Sequence, residues 1–133
     1  AWLALYAPEC VYWVPGTPDG GDPRSEIAVT FDDRRRIEDR IYRIRTGFAW
    51  SQAPLSRTVR QISNVELFSG KRTGTHMVRS NFMITEFWGD EIRYLAGWTA
   101  HLLENAPDPW RITAKQVNLI DCDQCIRNLS ILL

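Results

Sequence analysis

Four long β-rich runs fill the second half of this chain and leave it few architectures to choose from: residues 57–68, 75–88, 91–103 and 110–121. Each is dense in β-branched and aromatic residues. They are parted by Ser69-Gly70-Lys71-Arg72-Thr73-Gly74, by Gly89-Asp90 and by Asn105-Ala106-Pro107-Asp108-Pro109, all turn-forming clusters. Runs of that length joined by such turns predict an antiparallel meander. A two-residue loop at Gly89-Asp90 sets Trp88 opposite Glu91, which puts Met77, Met83 and Phe87 on one face with Ile92, Tyr94, Trp98 and Leu102. That face is expected to be core. The opposite face carries Val78, Phe82, Ile84, Trp88, Leu95 and Leu103, too much apolar surface to leave open to water. A second subunit is the simplest cover, with the tail over residues 126–133, or a helix lying before the first residue, as the alternative.

The front half reads differently. Ile37, Ile41, Ile44 and Phe48 recur at i, i+4, i+7 and i+11, which predicts an amphipathic helix over about residues 33–46. Asp32 or Asp33 supplies its N-cap, and Gly47 the left-handed residue that ends it. Asp39 and Arg43, four apart, mark a polar face suited to water or to another protein's carboxylates. Before it, residues 10–14 predict a strand, 15–23 a turn-rich loop and 26–31 another short strand. Trp2, Leu3, Leu5 and Tyr6 read as the last turns of a helix whose beginning is missing, so the N-terminus is expected to be incomplete. Helices first and strands last give an α+β class, with helices laid across one face of a curved sheet.

At 133 residues the chain is expected to be a single domain over 1–133. Sixteen acidic and sixteen basic residues cancel, so no net field draws it to nucleic acid or to an anionic membrane. Fourteen of the basic residues are Arg and six residues are Trp, types enriched where proteins bury surface against partners. No apolar run approaches the ~20 residues that span a bilayer, and a soluble intracellular protein is expected.

Recognisable chemistry is sparse. Cys122-Asp123-Gln124-Cys125 has C-x-x-C spacing, but a second pair to complete a zinc site is missing, and with Cys10 the three cysteines read as ordinary free thiols. His76 and His101 fall on one face of neighbouring strands, diagonal to each other at roughly 7–8 Å, without a carboxylate fixed beside them. Phosphate-binding, dinucleotide-binding, zinc-protease and serine-hydrolase signatures are absent. An acid/base site would have to be assembled from Asp39, Tyr42, His101 or Glu104 between helix and sheet. A small-molecule module whose Trp and Met side chains line an apolar pocket is a further reading.

Several segments nevertheless line up with one family. Trp2-Leu3-Ala4-Leu5-Tyr6-Ala7 with Tyr12-Trp13-Val14-Pro15, then Ile37 through Thr46, then Arg57-Thr58 leading to Ile62-Ser63-Asn64-Val65, then Lys115 through Asp121, resemble in order the small (β) subunit of bacterial aromatic-ring-hydroxylating dioxygenases. A shorter loop at residues 16–23 and the ending Arg127-Asn128-Leu129-Ser130-Ile131-Leu132-Leu133 depart from the benzoate-type pattern. The resemblance implies a cystatin-like, nuclear transport factor 2-like cone, with N-terminal helices on a strongly curved, mixed but mainly antiparallel sheet. It implies a non-catalytic structural subunit in a cytoplasmic complex, forming a mixed hexamer of three α and three β chains. No cofactor is then expected in this chain, since the Rieske [2Fe-2S] cluster and mononuclear iron belong to the α partner. On that reading Trp13, Arg60, Asn64, Trp98, Asn118, Asp121, Asp123 and Arg127 are the candidate partner contacts: Trp as anchors, Arg and Asp as charge pairs, Asn as backbone-directed donors. The alternative within the same fold is a free-standing isomerase or dehydratase with its acid/base residues inside the cone.

Overall fold

The computed structural model describes residues 2–18, 20–47, 50, 53–105, 109–124, 129 and 131–133. A 3-10 turn, Trp2–Leu5, runs directly into strand β1 (Tyr6–Pro15), followed by β2 (Ala28–Asp33), helix α1 (Arg34–Thr46), β3 (Arg57–Ser69), β4 (Thr75–Trp88), β5 (Glu91–Glu104) and β6 (Arg111–Leu119). All six strands join one sheet in the order β2-β1-β6-β5-β4-β3. The last four form the expected antiparallel meander. β1 then lies parallel to β6 and antiparallel to β2, which makes the sheet mixed.

Local signals account for the boundaries. Gly89 and Asp90 both have positive φ, 59° and 64°, the conformation of a two-residue turn matched to strand twist, and Trp88 pairs with Glu91 as expected. Asp33 caps α1 by accepting from the Arg36 N–H at 2.9 Å, and Gly47 ends the helix at φ 75°. Ile37 is fully buried under the helix, with Ile41 and Ile44 half-buried along the same stripe; Phe48 lies outside the described residues.

The opening residues Trp2–Leu5 form a 3-10 turn and the chain is extended from Tyr6, so α1 is the single α-helix among the described residues. What holds the segment is side-chain burial, with Tyr6 in the core and the Trp2 ring 4.7 Å from it, rather than a helical repeat. One expectation needs correction outright, the choice of sheet face, which is reversed. Phe82, Ile84 and Leu95 are buried beneath α1, while Met77, Met83, Ile92, Tyr94 and Leu102 are exposed at 36–65%. The cover over the inner face comes from the chain itself, since Ile131 and Leu133 join the core cluster with Tyr12, Ile37, Phe82 and Val117. Apolar surface in search of a partner therefore lies on the outer face of the sheet.

The arginines of α1 are used differently from expectation as well. Arg34 donates to the main-chain oxygens of Tyr6 and Ala7 and pairs with Glu38, and Arg40 pairs at 2.9 Å with the buried Asp32 and donates to Thr30. These contacts clamp the helix to the β1–β2 edge. Arg43 reaches the main-chain oxygen of Asp39, so the i,i+4 ion pair of this helix is Arg34 with Glu38.

Candidate functional site

Strand parity divides the candidate residues into an outer face and a cone interior. Register places Trp13 beside Gln116 and Trp98 beside Asn118 on the outer face. Gln116 donates to the Asn118 side-chain oxygen at 3.0 Å, and the Arg79 guanidinium stacks 4.6 Å from the Trp98 ring. The Trp13 Nε1 and Asn118 Nδ2 groups are buried without a partner among the described residues. Asn118 is only 3% exposed, so it braces this surface from beneath, whereas Trp13 and Trp98 are half-buried and reach it. From them the face runs on through Met77, Met83, Ile92, Tyr94 and Leu102.

The remaining candidates lie elsewhere. Arg60 faces inward opposite Ile84 and donates to the Leu132 main-chain oxygen at 2.7 Å. Asn64 is exposed where the β3–β4 register slips, at φ 50°, on an edge strand exposed along its whole length. Asp121 and Asp123 are exposed in the turn after β6, and Arg127 lies outside the described residues. The eight candidates therefore do not form one contiguous patch; Trp13, Trp98 and Asn118 do.

Inside the cone, a cavity of about 720 Å³ opens between α1 and the inner sheet face. Its wall combines Trp2, Leu3, Ile41, Ile44, Ile62, Phe82, Ile84 and Leu132 with Arg45, Arg60, Thr99 and Lys115. Neither methionine contributes, so in place of the expected Trp and Met the apolar wall is made of Trp2, Phe82 and branched aliphatics. Lys115 donates to the Leu133 main-chain oxygen at 2.6 Å, and the Tyr12 hydroxyl accepts from the Leu133 N–H at 3.1 Å. Burial, reinforced by Arg60, pushes the Lys115 pKa down to about 8. Burial raises Tyr12 to about 12.

This interior does not assemble an acid/base pair from the expected groups. Asp39 and Tyr42 point to solvent on α1, and Glu104 is paired with Arg72 at 3.0 Å. His101 is on the inner face opposite Lys115. His76 keeps its predicted diagonal relation to His101 but stacks edge-on against Trp110 at 5.0 Å, and the described residues contain no group of three or more metal-ligating side chains. Cys10 and Cys122 are buried free thiols whose pKa values burial raises; Cys125 lies outside the described residues.

Burial and then the charge of Lys115 push the His101 pKa down to about 4, against 6.5 in an unfolded chain. The unfolded state therefore binds the extra proton between those values, so the stability is present above pH 6.5 and lost as the pH falls through 4. The full shift corresponds to about 3 kcal/mol, of which a partly exposed ring keeps about 1–2 kcal/mol after solvent screening. Urea midpoints are expected to fall more steeply across this window in the parent chain than in His101→Gln.

No helix among the described residues is long and apolar enough to cross a membrane. A β subunit of toluate 1,2-dioxygenase from Pseudomonas putida is 31% identical over 124 residues, covering 90% of this chain and 76% of that one. The β subunit of benzoate 1,2-dioxygenase from Burkholderia mallei superposes with a TM-score of 0.75 at 27% identity, over 97% of this chain and 80% of that one. An NTF2-like protein with a cystatin-like fold from Novosphingobium aromaticivorans superposes with a TM-score of 0.60 at 12% identity, over 90% and 67% of the two chains, a likeness of fold alone. The α+β cone is thus the cystatin-like, nuclear transport factor 2-like arrangement. With the description "Ring hydroxylating beta subunit" matching residues 1–124, nearly its whole length, this chain belongs to the family of ring-hydroxylating dioxygenase β subunits.

Proposed function

We propose that this chain is a non-catalytic structural subunit of a multicomponent aromatic-ring-hydroxylating dioxygenase, working in the cytoplasm in the breakdown of an aromatic compound. Its partners are α subunits that carry the Rieske cluster and the mononuclear iron, together with further β chains in a mixed hexamer of three of each. The observation that carries this is the family match along residues 1–124. The outer sheet face supports it: a broad apolar surface with Trp anchors and an Arg stacked on one of them is what association buries. Holding α subunits in fixed relation is a contribution to catalysis in itself, because electron transfer and substrate positioning depend on geometry. Among the proposed contacts Trp13 and Trp98 serve as anchors, with Asn118 behind them; Arg60, Asn64, Asp121 and Asp123 stand apart from that patch, and Arg127 completes the proposed set.

Co-expression with a ring-hydroxylating dioxygenase α subunit, followed by native mass measurement, is the test. An assembly of α and β chains, iron in the α chain and turnover only in the assembly are the expected results. Turnover by this chain alone refutes the proposal. Trp98→Ala is expected to weaken assembly about tenfold or more while leaving the isolated chain folded, since a buried aromatic anchor is worth ~2 kcal/mol or more.

A further inference from the structure

The register slip in β3 decides what can pair with its outer edge. Before the slip Thr58, Arg60 and Ile62 lie on the inner face, opposite Glu86, Ile84 and Phe82, and Val59 and Gln61 on the outer face, opposite Thr85 and Met83. After it the parity is exchanged: Leu67 and Ser69 are inner, opposite Val78 and His76, and Glu66 and Phe68 outer, opposite Arg79 and Met77. Asn64, at φ 50°, and Val65 together stand opposite Ser80, which makes the slip a β-bulge. A bulge bars a regular strand from following the whole edge, because one half of β3 is always a residue out of step with it. A second copy of β3 carries the same slip at the same place, and stays in step on both sides of it.

In other respects β3 is built to pair. It is thirteen residues long, ends the sheet among the described residues, and contains none of the Pro or Lys that commonly blunt an edge. At the opposite edge β2 has only six residues, and Arg36 donates to the Phe31 main-chain oxygen at 3.0 Å.

We propose that two copies of this chain associate edge to edge through β3, antiparallel about a two-fold axis passing between Ser63 and Asn64. With inner residues kept opposite inner ones and outer opposite outer, Val59 meets Phe68 and Thr58 meets Ser69, each twice, a branched–aromatic pair and a hydroxyl pair of the kind that stabilises neighbouring strands. Arg60 meets Leu67 and Glu66 meets Gln61, so like charges are kept apart. Sliding one strand by two residues keeps the faces matched but sets Val59 against Glu66 or Phe68 against Gln61, according to direction. The contact is isologous, whereas a ring of three identical chains is closed by head-to-tail contacts, so it is additional to the ring and leaves Trp13 and Trp98 on the outer faces of both copies.

Sedimentation equilibrium of the full chain, purified on its own, tests this. A concentration-dependent equilibrium between monomer and dimer is expected. Val59→Lys or Phe68→Glu alone is expected to raise the dissociation constant about tenfold or more, because each spoils two cross-strand pairs. The two together in one chain are expected to restore it to within about threefold of the parent, because the new ammonium then meets the new carboxylate of the other copy. Within one chain these positions are about 30 Å apart along the strand, so only pairing between copies brings them together. Thr58→Lys with Ser69→Glu makes the same exchange on the inner face and serves should the first pair fail to fold. Trp98→Ala is expected to leave the dimer unchanged. A chain that is monomeric or trimeric throughout, a dimer lost in Trp98→Ala, or a doubly substituted chain that associates no more tightly than the single variants overturns the proposal.

Discussion

Arg93→Met is expected to destabilise the fold by about 3–5 kcal/mol, the cost of removing one partner from a buried ion pair. Glu86 is only 1% exposed on the inner face of β4, and Arg93 stands directly opposite on β5 with its Nε on the Glu86 Oε2. The other carboxylate oxygen is buried without a hydrogen-bond partner among the described residues. Losing the guanidinium therefore strands an anion where water cannot reach it. Adding Glu86→Gln to Arg93→Met is expected to recover most of the loss, since the pair gains little over neutral groups of similar volume. Urea unfolding of the single and double variants measures both effects; a single variant within 1 kcal/mol of the parent would show that Glu86 is not held by Arg93.

Neither of those residues stands out in the sequence, and the reason also explains which parts of the fold were legible there. Caps, turns and strand lengths are local: Asp33, Gly47 and Gly89-Asp90 act within four residues of themselves, and each does what its chemistry implies. The choice of sheet face is not local. Met77, Met83 and Phe87 are as apolar as Val78, Phe82 and Ile84, so alternation shows two apolar faces without saying which one meets α1 and the tail. That choice is settled by contacts such as Tyr12 to Leu133, which join residues 121 positions apart. Lys115 was legible as an inward charge, since it shares parity with Val117 and Leu119, a position where a charge is rarely placed. The partner contacts were legible only in part. Trp13, Trp98 and Asn118 meet because β1 joins β6 in parallel, a long-range pairing that no turn between them encodes.

Gly97→Ala is expected to cost about 3 kcal/mol, at the upper end for forcing extra atoms into a packed interior. A Cβ at this position would lie 1.8 Å from the Asn118 main-chain oxygen and 2.9 Å from its carbonyl carbon, and backbone cannot step aside as a flexible side chain can. Gly97 pairs with Leu119, and the neighbouring Ile120 N–H donates to the Ala96 oxygen at 3.1 Å, so β5 and β6 are held at this separation on both sides of the clash. Relieving it means parting the two strands at the point where Trp98 meets Asn118, which ties the inner curvature of the cone to the outer surface proposed for the partner. Gly74→Ala separates this from an ordinary glycine effect. Gly74 has φ 77° with nothing within 4 Å of its added Cβ, so only the left-handed backbone is penalised there, at about 1 kcal/mol. Chemical unfolding is expected to rank the two accordingly, and the near-ultraviolet signal of the tryptophans to change for Gly97→Ala alone. Equal losses for the two variants would mean that β5 and β6 part without resistance, and that the close approach at Gly97 does not set the curvature of the cone.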